Sequence, residues 1–338
     1  MSDGATPGPR RDVRQRDALR SPRFAQPATY ARLPLADDLA DVDAAFLGIP
    51  FDDATTFRSG ARMGPAGVRE HSRLLRPYNL FVDVSPFDVL NVVDFGDVDV
   101  VPGYIFDTFE RIEATLDRLC RERVAPFICG GDHSITLPVL RSLARAHGPV
   151  HLIHFDSHLD FWDAYWGKKY THGTWLRRAV EENLVGSVAQ AGIRGSQYAP
   201  NDLDFAHEHA IRVETIDAFF ERGARAVMAD ILAGIPADGP LYISWDIDVV
   251  DPAFAGATGT PEVGGLGAWD AVQCVRALVG HRLVGMDVVE VAPPYDGPGG
   301  QTSLLAANLL YEAISVLARN VRVGLGAFAA GAPKGGSG

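Results

Sequence analysis

The sequence predicts an α/β domain of three layers, with helices on both faces of a mostly parallel central sheet. Three observations carry this. Past residue 40, short apolar runs alternate with longer amphipathic ones. Several of the short runs are apolar at nearly every position, as strands buried on both faces of a parallel sheet are. Asp and His residues gather just past the ends of three runs, where open parallel sheets hold their ligands.

Taken in order, Ala44 to Ile49 is the first strand, stopped by Pro50, and Asn91 to Phe95 the second, stopped by Gly96. Phe106 to Glu122 is a helical pattern. Pro126 to Cys129 is a strand closed by two glycines, and Thr136 to Ala146 a helix. Val150 to Phe155 follows Pro149 and ends at Asp156; Thr174 to Asn183 is helical; Val188 to Ile193 is the next strand. Ile216 to Gly234 reads as one helix, and Leu241 to Trp245 as a strand between Pro240 and Asp246. Ala268 to Val279 is a helix, Leu283 to Val288 the last strand, and Thr302 to Ala318 the last helix. Each strand is β-branched or aromatic and bounded by Gly, Pro or Asp. Strands alternating with helices mean βαβ units. No Ser/Gly/Pro linker divides the chain and no repeat occurs in it, so one domain is expected over 29–325. A flexible N-terminal arm over 1–28 and a Gly-rich tail over 326–338 flank it.

Composition narrows the function. The chain has 338 residues, 47% hydrophobic and 22% charged, which is ordinary globular usage and excludes a disordered or fibrous chain. Against 31 Lys+Arg stand 43 Asp+Glu, a net charge of −12 that disfavours nucleic acid and suits a small cationic substrate. Cys120, Cys129 and Cys274 have no disulfide or zinc spacing and point to a reducing, cytoplasmic setting. No apolar run approaches the roughly 20 residues of a membrane span, so no membrane partner is expected. The arm has no apolar h-region; its Arg10, Arg11, Arg14 and Arg16 read as a solvated tail or a contact for an acidic partner. Neither GxGxxG nor GxxxxGK[ST] occurs, which disfavours a nucleotide site.

The chemistry lies at three strand ends: CGGDHS gives Asp132 and His133, IHFDSHLD gives His154, Asp156, His158 and Asp160, and SWDIDVVDP gives Asp246, Asp248 and Asp251. In extended chain, residues two apart point to one side. Asp156, His158 and Asp160 therefore converge, as do Asp246 and Asp248. Carboxylates so placed repel one another, and no Lys or Arg lies within either motif, so divalent cations are the simplest compensation. His133, Asp156, His158, Asp160, Asp246 and Asp248 are too many ligands for one tetrahedral zinc and suit two metals. Imidazole and carboxylate without thiolate favours Mn²⁺, and Ni²⁺ accepts the same donors. Two such metals can share a bridging hydroxide, a nucleophile at neutral pH. A lone Asp or His at a strand end usually caps a turn, but turn chemistry does not account for the whole set. Asp132 is read as orienting a ligand, Asp251 as a turn residue, and His154 as a packed or hydrogen-bonded core residue facing away from the ligands.

At these residues the sequence resembles the ureohydrolase family, which includes arginase and agmatinase. GGDHS at 130–134, DSHLD at 156–160 and SWDIDVVDP at 244–252 carry the likeness. Further matches are GIPFDDATTFRSGARMGP at 48–65, THGT at 171–174, GTPEVGG at 259–265 and DVVEVAPPYD at 287–296. THGT and the YDGPGG stretch look nearer the agmatinase branch than arginase. The resemblance implies an arginase-like fold and a binuclear manganese site. One metal would be held by His133, Asp156, Asp160 and Asp246, the other by Asp156, His158, Asp246 and Asp248. It also implies that His172 of THGT shuttles a proton and that Glu290 of DVVEV holds a guanidinium through paired N–H bonds. Asp160 would take a proton from the attacking hydroxide, and Thr260 of GTPEVGG would lie against the substrate. The implied reaction is hydrolysis of a guanidino compound to urea and an amine, with agmatine the first candidate. Guanidinobutyrate, guanidinopropionate and free guanidine are the alternatives, and a non-catalytic paralogue subunit a lesser one. A homo-oligomer, trimer or hexamer, is implied as well.

The chain departs from the family at Ser157, where Ala is usual, a change expected on the non-ligand side. It departs also in the aromatic loop FWDAYWGKKYTHGTW, from which Phe161 and Trp162 are assigned to the substrate pocket, with a subunit interface or ordinary packing as the alternative. Trp245 is expected in the core. Arg58, Arg62 and Arg194 are candidate pocket cations, and any of them there would favour a guanidino acid over agmatine.

Overall fold

A computed structural model of the chain describes residues 13–328. Its strands are β1 (Ala44–Ile49), β2 (Val92–Asp97), β3 (Ala125–Gly130), β4 (Val150–Phe155), β5 (Val185–Ile193), β6 (Arg212–Thr215), β7 (Leu241–Asp246) and β8 (Leu283–Val289). They form one eight-stranded sheet in the order β2-β1-β3-β8-β7-β4-β5-β6, and every pairing is parallel. Neighbouring residues along a strand feed opposite apolar layers. Phe46, Phe127, Ile153 and Ile243 join the layer that helix Gln301–Val321 covers. Leu47, Ile128, Leu152 and Tyr242 join the one that helices Ile105–Arg121 and Thr136–His147 cover. The three layers follow from that alternation. Pro126 is tolerated in the central strand β3 because pairing with β8 begins only at Phe127.

Several details differ from the sequence reading. The edge strand β6 is unpredicted: it has four residues, two of them Arg212 and Glu214, and no apolar alternation. Helix Gly64–Ser72 is also additional, with Pro65 in its first turn. The helix expected over 216–234 is two, Ile216–Arg222 and Ala224–Leu232, broken at Gly223 with φ 78°. Gln301–Val321 is long and apolar enough to cross a membrane by length and composition, contrary to expectation, but 78% of its apolar window is buried inside the protein. It is a core helix, anchored where Glu312 pairs with Arg276.

Packing also reaches past the expected domain limits. Residues 1–12, with Arg10 and Arg11, and 329–338 lie outside the described residues. Within the arm, Val13 is buried, Gln15 donates to the Ala31 carbonyl and Arg14 pairs with Asp88. At the other end Ala327 is buried and Phe328 packs on His147.

The topology positions the site. The motif-bearing strands β3, β8, β7 and β4 are consecutive in the sheet, so their carboxyl ends meet although they lie far apart in sequence.

Candidate metal centre and active site

His133 leaves β3 on a single 3-10 turn, His133–Ile135, which Asp132 caps by accepting from the Ser134 amide at 2.9 Å. Asp132 also accepts from the Ala54 amide at 2.9 Å, tying the 49–54 loop to this turn. Only glycine fits at 131, because a Cβ there would lie 1.9 Å from the Phe51 carbonyl oxygen. The fixed turn aims His133 Nδ1 at three carboxylates: Asp156 and Asp160 at 3.2 Å and Asp246 at 3.3 Å. His158 Nδ1 stands 3.1 Å from Asp248 and 3.4 Å from Asp156. All six expected ligands therefore meet at one place. Asp156 faces both imidazoles, between the two groups.

Supports hold these ligands in place. His133 Nε2 donates to Ser244 Oγ at 2.8 Å, and Ser244 donates to Asp287 at 2.8 Å. Thr136 and Tyr242 also donate to Asp287. That chain fixes the tautomer with Nδ1 bare toward the carboxylates. Trp175 donates its indole N–H to Asp160 at 2.8 Å and stacks on His133 at 4.7 Å. His154 requires a correction. It stands two residues before Asp156, hence on the same side of the strand, and its Nε2 donates to Asp156 at 2.8 Å while Nδ1 accepts from Gln190. Ser157 likewise touches a ligand, donating to Asp248 at 2.7 Å. Asp251 caps the helix turn after it, accepting from Ala253, and Trp245 is buried against Phe155, as expected.

The donor set fits divalent cations. His133 Nδ1 and Asp248 Oδ2 are buried without a hydrogen-bond partner, and each belongs to a cluster of potential ligands. Burial, then the like charges of Asp248 and Asp156, push Asp246 well above the usual carboxylate range. Burial opposes a charged His133, yet Asp156, Asp160 and Asp246 more than offset it and raise its pKa well above the usual value. This is a cluster short of positive charge. His133, Asp156, Asp160 and Asp246 would hold one ion, and Asp156, His158, Asp246 and Asp248 the other.

Above the cluster opens a cavity of about 730 Å³, lined by His158, Asp160, Asp246, His172, Thr260 and Trp162 among others. Asp160 and Glu290 both hold positive φ, 54° and 61°, a conformation non-glycine residues keep only where the surroundings impose it. His172 Nδ1 donates to Glu290 Oε1 at 2.9 Å, and His172 Nε2 accepts from the Thr56 amide at 3.0 Å. Burial lowers the His172 pKa, but the bond to Glu290 and the charges of Glu290, Asp160 and Asp132 outweigh it and the net shift is upward. Glu290 lies behind His172 rather than in the cavity wall. Its Oε1 also accepts from the His133 amide, and its buried Oε2 has no partner.

Phe161 does not reach the cavity: it is 1% exposed and packs on Phe205 at 5.3 Å. The fold turns Phe161 into the core and Trp162 outward, where it meets Tyr165 and Tyr198 edge-on. Of the three arginines, Arg58 lines the cavity. Arg62 pairs with Asp52 and Asp53 instead, and Arg194 is buried, donating to backbone carbonyls including those of Asp248 and Glu262. Sequence reasoning missed Asp287, Gln190 and Thr56. For Asp287 the signal was present, a lone charge inside the run LVGMDVV.

An all-parallel sheet carrying this His/Asp cluster at its carboxyl ends defines a metal-dependent hydrolase. Residues 42–315 match the arginase family. The chain is 43% identical to guanidinobutyrase of Pseudomonas aeruginosa over 89% of this chain and 95% of that protein. It is equally 43% identical to the mitochondrial agmatinase of Gallus gallus, over 85% of this chain and 84% of the relative. The solved structure of proclavaminate amidinohydrolase from Streptomyces clavuligerus superposes with a TM-score of 0.84 at 38% identity, covering 89% of this chain and all of the other. The chain belongs to the arginase family, on its agmatinase-like branch, and is a metal-dependent amidinohydrolase.

Proposed function

We propose that the enzyme hydrolyses a guanidino compound to urea and an amine. The observation that carries this is the convergence of His133, Asp156, His158, Asp160, Asp246 and Asp248 beneath one cavity, with the His172–Glu290 pair at its side. Two divalent cations held there would supply a water of lowered pKa as nucleophile. Mn²⁺ is favoured by the oxygen-rich donor set, with Ni²⁺ the alternative.

The protein's own groups do the rest. A guanidinium carbon is a poor electrophile, so the substrate must be held in line. Glu290 does not itself line the cavity, but its buried, unpartnered Oε2 is the acceptor left for a substrate N–H that reaches in beside His172. Because Oε1 is already shared by His133 and His172, the two-pronged grip expected from the sequence becomes a single contact. Asp160, strained and oriented by Trp175, accepts a proton from the attacking water. The amine leaves only when protonated, and His172, whose raised pKa favours a second proton at Nε2 once the Thr56 amide bond opens, delivers it from that nitrogen. Thr260 and Trp162 flank the substrate from the cavity wall.

For the substrate tail, the wall favours a guanidino acid. Arg58 lies over the rings of Phe57 and Tyr295, in no ion pair with a carboxylate among the described residues. Trp162 Nε1 is a buried donor without a partner. Both suit a carboxylate. Agmatine, favoured from sequence, is the second reading, supported by Glu262 in the same wall. We further place the enzyme in the cytoplasm as a homo-oligomer, a trimer or hexamer; its three cysteines are free and buried, which suits a reducing compartment. The test is urea release from guanidinobutyrate, guanidinopropionate, agmatine, arginine and free guanidine, with enzyme loaded with Mn²⁺ or Ni²⁺. Turnover of a guanidino acid above agmatine is expected. Two bound metals with no urea from any member overturn the reading.

A further inference from the structure

A second cavity, of about 470 Å³, lies between the segment before β1 and the end of helix Gly64–Ser72. Its lining shares no residue with the cavity over the metal cluster. Arg14, Arg16, Arg32 and Arg73 line it, together with the apolar Leu33 and Pro34, and no Asp or Glu does among the described residues. In a chain of net charge −12, four guanidinium groups around one cavity run against the overall sign.

Two of the four have partners that occupy them. Arg14 pairs with Asp88. Arg73 pairs with Glu70 and donates to the carbonyls of Arg23 and Gln26. Arg32 differs. It is 7% exposed, its Nη2 donates to the Ser21 carbonyl at 2.9 Å, and its Nη1 is buried with no partner. Arg23 Nε nearby is likewise buried and unpartnered. Burial, followed by the charges of Arg16, Arg23 and Arg73, lowers the Arg32 pKa, with Asp17 opposing. The backbone that delivers Arg32 is itself unusual: Ala31 and Arg32 take consecutive positive φ values, 49° and 58°, without a glycine. The Arg16 amide clamps this turn by donating to the Arg32 carbonyl at 3.2 Å.

A buried guanidinium N–H without an acceptor is costly, and a planar fork of donors fits a carboxylate or phosphate oxygen pair. The cavity is of small-molecule size, and larger than a bare ion needs. We propose that it binds a small organic oxyanion, a carboxylate or a phosphate ester. Arg32 and Arg16 hold the charged head, and Leu33 and Pro34 cover the body. The site is independent of the substrate reading above.

Isothermal titration of the full-length, metal-loaded enzyme with inorganic phosphate, and separately with succinate, at fixed ionic strength, tests this. One saturable site per chain is expected, and whichever probe binds more tightly identifies the head group. Arg32→Gln should weaken it roughly tenfold or more. Arg16→Gln, at an exposed residue whose replacement leaves folding intact, should weaken it as well. Urea release should be unchanged in both. Absence of saturable binding from either probe overturns the proposal. So does binding of equal strength in the parent and both variants, which would place the ion away from Arg32 and Arg16.

Discussion

His172 and Glu290 form a buried pair, Nδ1 to Oε1 at 2.9 Å, and the second imidazole nitrogen accepts from the Thr56 amide. The neutral ring is thus fixed at both ends, with its one proton toward Glu290, and a second proton enters at Nε2 only as the Thr56 amide bond opens. The bond raises the folded pKa, so the charged imidazole persists to higher pH than a free one and is lost as pH rises through the raised value. Replacing Glu290 with Gln removes that support. The alkaline limb of the kcat/KM profile, where it reports His172, should move to lower pH. His172→Asn should lower kcat by about 10²–10⁴-fold with two metals per chain retained. Loss of metal in parallel with activity would instead make His172 part of the metal site.

Ser244 links His133 to Asp287, and all three are buried. Ser244→Ala should release the imidazole and weaken metal binding by about ten- to a hundredfold. Asp287→Asn should do the same, because Asn offers a donor where Ser244, Thr136 and Tyr242 all present theirs. Metal retained against a chelator series measures it. Unchanged retention in both variants would show that the turn at Asp132 suffices to aim His133.

Of the six ligands, His133 was legible in the sequence because it follows the GGD turn after β3. The other five were legible by a local rule, since Asp156, His158 and Asp160, and Asp246 and Asp248, stand two apart at or just past a strand end. The same rule, applied with its parity reversed, misplaced His154, which stands in register with Asp156. What the sequence hid was lateral: Ser157 meets Asp248, and Ser244 meets Asp287, across strands whose order no local pattern encodes. Phe161 and Trp162 are adjacent and both aromatic, and only the fold decides that one enters the core and the other the cavity.

Arg58 tests the tail. Arg58→Ala should lower kcat/KM for guanidinobutyrate by roughly tenfold, the scale of one charge-assisted contact, and leave agmatine unchanged or improved. A parallel fall for both substrates would mean that Arg58 shapes the cavity rather than reading charge.

His147 ends helix Thr136–His147, away from the site, and gives a stability prediction. Arg282 donates to its Nδ1 at 3.2 Å, Nε2 is buried without a partner, and Phe328 covers the ring at 4.7 Å. A ring that accepts from a guanidinium must be neutral. Burial, then the charges of Arg282 and Arg123, accordingly lower its pKa from 6.5 to about 4. Above pH 6.5 the ring is neutral in both folded and unfolded chain and contributes nothing pH-dependent. As pH falls from there toward 4, the unfolded chain takes the proton first and stability drops. The full shift corresponds to roughly 3 kcal/mol, reduced to about 1–2 kcal/mol by partial exposure. His147→Gln should therefore lose less stability between pH 7 and pH 4.5 than the parent, by about 1–2 kcal/mol. Urea midpoints of both proteins in the same chelator give the difference directly. An equal loss in the two would mean that His147 takes its proton in the folded protein, and that the Arg282 contact yields to it.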